Sequence, residues 1–246
     1  MSDGRSLRRP IVAMGGGGCL AADDPRQLTA LDRLVLDLAR ARRGRERPRI
    51  AFVGTASGDA PEGAARFLAA FGDHAETVTL TLFERTVEDL GAFVLDLDGV
   101  YVGGGNTASL LAVWRAHGLD GVLHRAHGAG IVLAGMSAGA ICWFESGTTD
   151  SYGPTLVAVH GGLGLVPGSH SPHYDGEPQR RPTYQRLIAA GELPDGLAAD
   201  DGAALVFDGP TLVEAVAERP GARAYRVVRA AGGGAIEDPL PTRWLP

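Results

Sequence analysis

Residues 131–139 read Ile131-Val132-Leu133-Ala134-Gly135-Met136-Ser137-Ala138-Gly139, an apolar run that breaks into glycine around a single serine. Four apolar residues ending at glycine predict a short buried strand, and Ala138 to Phe144 is compatible with a helix after it. A strand that turns into a helix through G-x-S-x-G puts the serine on a sharp, exposed turn with its Oγ at the helix start. Small flanking residues let that turn form and let a substrate approach. Ser137 is then a candidate nucleophile, and the N–H of Ala138 points at a developing oxyanion in the favourable field of a helix N-terminus. In a chain with 36 glycines a plainer alternative stands beside this one: a glycine-rich turn whose serine only caps the helix.

Working outward, the same alternation fills the preceding sequence. Strands are predicted over Ile11–Met14, Arg49–Val53, Glu76–Leu82, Leu97–Val102 and Ile131–Ala134. Helices are predicted over Leu28–Ala41, Pro61–Phe71, Thr86–Phe93, Ala108–His117 and Asp120–Ala126. Such alternation predicts an α/β fold: a mostly parallel sheet flanked by helices on both faces. After Phe144 short β-like runs (Leu156–His160, Ala203–Phe207, Tyr225–Val228) surround a helix near Thr183–Ala190. They predict a β-rich C-terminal part that completes the sheet. The chain reads as a single domain over 1–246, with 1–10 a flexible N-terminal segment.

Three glycine clusters follow predicted strands: Gly15–Gly18, Gly103–Gly105 and Gly135–Gly139. In open α/β sheets ligands bind outside the carboxyl ends of the strands, so the three clusters point to one site. In Gly103-Gly104-Gly105-Asn106-Thr107 the bare backbone can supply a second oxyanion donor, from Gly104 or Gly105, or cradle a phosphate. No G-x-x-x-x-G-K-[ST] pattern supports the phosphate. Asn106 or Thr107 can cap the following helix, and Asn106 is also a candidate substrate contact. Gly15–Gly18 is either a tight turn packed under the site or a direct substrate contact.

Composition narrows the classes. The 246 residues carry 45% hydrophobic side chains and a net charge of −6, enough for a sizeable core and without the clustered basic face that nucleic acid requires. The arginines between Arg40 and Arg49 read as the polar end of a helix and a linker. Cys19 and Cys142 fit neither a disulfide framework nor a metal site. No apolar stretch suits a signal peptide or membrane helix. The expectation is a cytoplasmic enzyme with no cofactor, no metal, no nucleic-acid partner and no membrane association. Of seven histidines, His173 stands out because Pro172 stiffens its approach, and a general base needs a fixed imidazole.

The Gly103–Thr107 loop, the Ser137-Ala138-Gly139-Ala140 turn and Pro172-His173 together resemble the peptidase E (aspartyl dipeptidase) family, on a sheet related to class I glutamine amidotransferases. The resemblance covers about residues 98–208. It implies a cofactor-free serine peptidase acting on small peptides, a dipeptidase of the Asp-X type, and it allows a homodimer. It makes Ser137 the nucleophile, His173 the base, and Ala138 and Gly105 the oxyanion donors. The third member is Asp201, in Asp201-Gly202, or Asp150, in Thr148-Thr149-Asp150. Asp201 is preferred because it begins a predicted strand. Arg180 and Arg181 are candidate holders of a substrate carboxylate, although the family's arginine directly follows a Gly-Glu pair and here it is shifted; pairing with Glu177 is their alternative role. A cyanophycinase-like hydrolase and a non-catalytic binding protein on the same fold remain as other readings. An amidotransferase needs cysteine at the turn, where this chain has Ser137.

Overall fold

Strand β1 (Pro10–Met14) is buried at every position, and its alternate side chains feed two different cores. Successive residues of a strand face opposite sides, so Ile11 and Ala13 join one cluster while Val12 and Met14 join the other. That is the pattern of a strand in the middle of a three-layer sandwich. The computed structural model describes residues 7–246. After β1 come α1 (Ala30–Arg43), β2 (Arg49–Val53), α2 (Pro61–Phe71), β3 (Glu76–Leu80), α3 (Leu90–Leu95), β4 (Gly99–Val102), α4 (Thr107–His117), α5 (Leu119–Gly128) and β5 (Val132–Met136). The remainder runs α6 (Ala138–Ile141), β6 (Phe144–Thr149), β7 (Val157–His160), β8 (Val166–Ser171), α7 (Arg180–Ala190), β9 (Gly196–Ala199), β10 (Ala203–Asp208), β11 (Thr211–Ala217), β12 (Ala224–Arg229), β13 (Ala235–Pro239) and β14 (Thr242–Trp244).

The principal sheet has eight strands in the order β14-β11-β10-β1-β5-β4-β2-β3. Strands β1, β5, β4, β2 and β3 are mutually parallel, as the strand-helix alternation predicts. Helices α1 and α2 cover one face through Leu31, Val35, Phe67 and Phe71, and α3, α4 and α5 cover the other through Val94, Leu110, Trp114 and Leu123. Local signals start and stop these helices. Thr29 and Asp32 form a capping box on α1, and Gly44 ends it in the left-handed conformation. Pro61 opens α2, and Asn106 caps α4. The Arg40–Arg49 run also serves the interior, because Arg42, Arg43 and Arg45 surround the fully buried carboxylate of Asp98 at 3.2–3.5 Å.

The C-terminal part is β-rich as expected, and its strands divide between two sheets. Strands β10, β11 and β14 extend the principal sheet beyond β1, while a second sheet of six strands has the order β13-β12-β9-β8-β6-β7. Helix α6 is a correction to the sequence reading: it ends at Ile141 instead of reaching Phe144, which already belongs to β6. Phe144 is fully buried, pairs with Val166 and stacks on His170 at 4.7 Å; that tertiary packing overrides the local helical preference. Residues 1–6 of the expected flexible N-terminal segment lie outside the described residues, and Pro10 already stands in β1. No helix among the described residues is long and apolar enough to cross a membrane.

Candidate active site

The loops after β1, β2, β4 and β5 meet at the carboxyl edge of the parallel strands. Ser137 leaves β5 with φ 57° and ψ −116°, a conformation that is costly for a residue with a Cβ and persists where the surroundings enforce it. Its N–H donates to the Met14 carbonyl at 3.1 Å, and its own carbonyl accepts from Ala140 and Ile141 at 2.9 and 3.0 Å. The serine therefore joins β1, β5 and the first turn of α6. Close packing makes glycine necessary around it: a Cβ on Gly135 would sit 2.1 Å from the Gly139 carbonyl oxygen.

Gly104 packs directly on the serine, its own Cβ position lying 3.2 Å from Ser137 Cβ. Among the described residues, the N–H groups of Ala138, Gly104 and Gly105 donate to no protein acceptor. They are free donors on the two loops that meet at the serine, so Gly104 and Gly105 both stay candidates. Gly103, by contrast, spends its N–H on Val53.

His173 also has positive φ, 51°. Its N–H donates to the Gly15 carbonyl at 3.2 Å, and its Nδ1 lies 2.6 Å from Asp201 Oδ1. With the carboxylate accepting from Nδ1–H, Nε2 is left unprotonated. The hydrogen bond from His173 holds the Asp201 carboxyl below its ordinary range, against the opposing effect of burial, and the charges of His173, Arg219 and Arg180 act the same way. Asp201 is thus ionised at neutral pH. Its peptide is fixed from both sides. The N–H donates to Asp175 Oδ1 at 2.9 Å, the carbonyl accepts from Arg219 Nε at 2.9 Å, and Arg219 ion-pairs with Asp175.

The loop after β1 explains why glycine is needed there. A Cβ on Gly16 would fall 2.0 Å from Asp201 Oδ1, and one on Gly176 1.9 Å from Oδ2. Gly15 and Gly16 pack under His173 and Asp201, as the tight-turn reading expects, while Gly17 and Gly18 line the open cleft.

The cleft has two lobes that share Met136 and His173. One, about 520 Å³, holds Ser137 and Gly103–Gly105 with Phe52 and Arg66. The other, about 700 Å³, holds Gly17, Asp201 and Glu218 with Pro220, Trp244 and Leu245.

Other sequence candidates fall elsewhere. Asp150 is exposed, and its carboxylate has no hydrogen bond or ion pair among the described residues. Asn106 uses its side chain to cap α4 through the Ser109 N–H and to donate to the Ser151 carbonyl. Arg180 and Arg181 are corrections as carboxylate holders, since neither lines the cleft. Arg180 is 4% exposed and donates to Glu177 and to the Thr148 carbonyl at 2.7 and 2.8 Å. Arg181 lies over the adjacent rings of Tyr174 and Tyr225 and pairs with Glu237.

His170, close to His173 in sequence, is fully buried in β8, and burial pushes its pKa down to about 3. The residues that sequence reasoning missed are Arg66, Glu218 and Trp244. Arg66 carries a faint signal, an arginine on the polar face of α2 opposite Phe67 and Phe71. Glu218 bonds Gly18 N–H at 2.9 Å and Leu31 N–H at 2.8 Å across the sheet, which no local pattern announces.

Comparisons with known proteins agree with this architecture. The chain is 48% identical over 242 residues to the uncharacterized peptidase YgaJ of Bacillus subtilis (strain 168), covering 96% of this chain and 99% of the relative. A peptidase from an acI-B1 actinobacterium superposes with a TM-score of 0.64 at 16% identity, over 96% of this chain and 98% of its own. A Listeria monocytogenes EGD-e protein assigned to peptidase E gives 0.58 at 17% identity, over 83% and 96%. The two structures share the fold. The model of peptidase family S51 matches residues 11–214. With the Ser137 turn, His173 and Asp201 inside that span, this chain belongs to peptidase family S51 and is a peptidase.

Proposed function

We propose that the protein is a serine peptidase hydrolysing small peptides through an acyl-enzyme, with a preference for an acidic residue on the acyl side. The observation that carries this reading is the 2.6 Å pairing of His173 with Asp201 in a cleft that Ser137 also lines. His173 Nε2 takes the proton of Ser137 Oγ as the serine attacks the carbonyl. The N–H groups of Ala138 and of Gly104 or Gly105 hold the oxyanion. His173 then protonates the leaving amine, and water, deprotonated by the same imidazole, releases the acyl group. Asp201 keeps the imidazole in the required tautomer and stabilises its charged form.

The acidic preference moves from Arg180 and Arg181 to Arg66. Arg66 lines the lobe that holds Ser137 and donates through Nη1 to the Ala22 carbonyl at 2.8 Å. Among the described residues it has no carboxylate within ion-pair distance. An unpaired guanidinium beside the nucleophile suits a substrate carboxylate, and Glu62, one turn before it on α2 and in the same lobe, suits a free α-amine.

The test is hydrolysis of a panel of dipeptides and aminoacyl-nitroanilides by wild type, Ser137→Ala and Arg66→Ala. The expected result is cleavage of Asp-X by wild type, a fall of about 10⁴-fold or more in Ser137→Ala, and a raised KM confined to acidic substrates in Arg66→Ala. Hydrolysis that survives Ser137→Ala removes the serine mechanism. A uniform effect of Arg66→Ala removes the acidic pocket and leaves the mechanism standing.

A further inference from the structure

The two lobes of the cleft are chemically unequal. In the mechanism proposed above, on which this inference rests, the imidazole that deprotonates Ser137 then hands its proton to the departing amine. The leaving segment therefore lies on the side of His173, and the acyl group lies against the free glycine N–H groups. Ser137 and Gly103–Gly105 line the lobe of about 520 Å³ alone, Asp201 lines the lobe of about 700 Å³ alone, and His173 lines both. The larger lobe is the leaving-group side.

Its wall is apolar where it is free to act. Trp244, Leu245, Pro220 and Ala30 line it with Met136. Trp244 is 49% exposed, yet its backbone is held firmly. It pairs with Ala217 at the end of β14, and the Leu245 N–H donates to the Ala217 carbonyl at 2.8 Å. Arg33 ties the same segment to α1 by donating to the carbonyls of Pro246 and Leu28. A half-open indole on a rigid strand end offers a large flat contact area with little side-chain entropy left to lose.

Most polar groups around it are engaged already, the exposed Gln27 side chain being an amide without a hydrogen-bond partner among the described residues. Glu218 holds the N–H groups of Gly18 and Leu31, Arg219 holds Asp201 and Asp175, and Asp201 holds His173. Among the described lining residues, Asp23 is the charged group without a partner, and it is exposed. We propose that this lobe is the leaving-group subsite and selects peptides with a large apolar or aromatic residue directly after the scissile bond, with Trp244 as the residue that reads it.

The protein carries its own probe. It has three tryptophans, and Trp114 and Trp143 are fully buried, so a ligand in this lobe changes the emission of Trp244. Phenylalaninamide and glycinamide, mimics of the leaving amine, are titrated into wild type, Trp244→Phe and Trp244→Ala. The expected result is a saturable emission shift in wild type, with phenylalaninamide binding about tenfold more tightly than glycinamide, and loss of the shift in both variants. In parallel, peptides are compared that share the acyl residue wild type cleaves fastest and carry Phe or Gly after it. The Phe:Gly ratio of kcat/KM falls about tenfold in Trp244→Ala and recovers largely in Trp244→Phe. Equal affinity for the two amides in wild type, or a ratio that Trp244→Ala leaves unchanged, overturns the subsite. Retained hydrolysis by Ser137→Ala is a separate result: it overturns the mechanism, while the amide titration still decides whether the lobe reads apolar amines.

Discussion

Ser137, His173 and Asp59 are the non-glycine residues with positive φ among those described, and the first two line the same lobe of the cleft. Backbone strain at two chemically competent side chains of one cleft supports the proposed site. Placement favours Asp201 over Asp150 as the acid of the proposed set, since Asp201 is the one paired with His173. Asp201→Asn keeps the shape but lets Nδ1 accept instead of donate, which leaves the wrong tautomer at Nε2; kcat is expected to fall by about 10⁴-fold. Asp150→Asn, at an exposed carboxylate with no hydrogen bond or ion pair among the described residues, is expected to change kcat by less than a few-fold, and steady-state kinetics of the pair checks both. Equal effects would remove Asp201 from the role. Gly16→Ala tests the same geometry from the backbone side: its Cβ would overlap Asp201 Oδ1, displacing the carboxylate, so kcat is expected to drop roughly 10²-fold with a smaller change in thermal stability. Ser137, His173 and Asp201 were legible in the sequence because each sits in a short motif. Arg66 and Trp244 were not, since α2 and β14 reach the cleft only through the fold.

At the scale of elements, the inner parallel strands β1, β2, β4 and β5 were readable because each is a largely apolar run, which is how a strand buried on both faces looks, while the edge strand β3 was read from its Val, Thr and Leu content. The second sheet was readable only in part: β7 and β12 fall on expected β-like runs, and the other strands do not. Its strands β6, β8 and β9 read Phe-Glu-Ser-Gly-Thr-Thr, Val-Pro-Gly-Ser-His-Ser and Gly-Leu-Ala-Ala, with no period to follow. Their buried hydroxyls pair with one another, Thr148 with Ser171 at 2.7 Å and Ser169 with Tyr184 at 2.8 Å, and that satisfies polar groups inside a core. Helix α7 is fastened to this sheet by the two arginines whose sequence position suggests a substrate role. Arg180→Ala strands the Thr148 carbonyl and is expected to cost about 1–3 kcal/mol. Arg181→Ala removes a cation lying over two rings and is expected to cost about 1 kcal/mol. Chemical denaturation checks the loss, and KM ratios between acidic and neutral substrates should stay constant in both; a selective rise for acidic substrates would return them to the site.

Across the whole molecule, the glycine loop after β1 rests on a buried polar cluster that links stability to pH. Asp32 is fully buried beneath Gly18; its carboxylate accepts from the Thr29 N–H and hydroxyl and from Tyr101 Oη at 2.9–3.1 Å. Burial raises its pKa to about 6; the Thr29 and Tyr101 hydrogen bonds oppose the rise, and the Glu218 charge adds to it. The folded protein therefore keeps a proton on Asp32 at pH values where the unfolded chain has lost it. That contribution to stability is fully present below the ordinary carboxylate range and is lost as pH rises through about 6. Its size is on the order of 3 kcal/mol. Asp201 has the opposite sign: its lowered pKa contributes stability at neutral pH that is lost as pH falls below the ordinary range. Asp32→Asn removes one of these slopes and leaves the other. Relative to wild type, its melting temperature is expected to decline less between pH 4.5 and pH 7, whatever constant offset the lost cap of α1 imposes. Parallel melting curves for the two proteins across that range would place the acid elsewhere. Since Gly18 packs on Tyr101 and Asp32, with its Cβ position 2.5 Å from Tyr101 Oη, the same ionisation bears on the loop that supports His173 and Asp201.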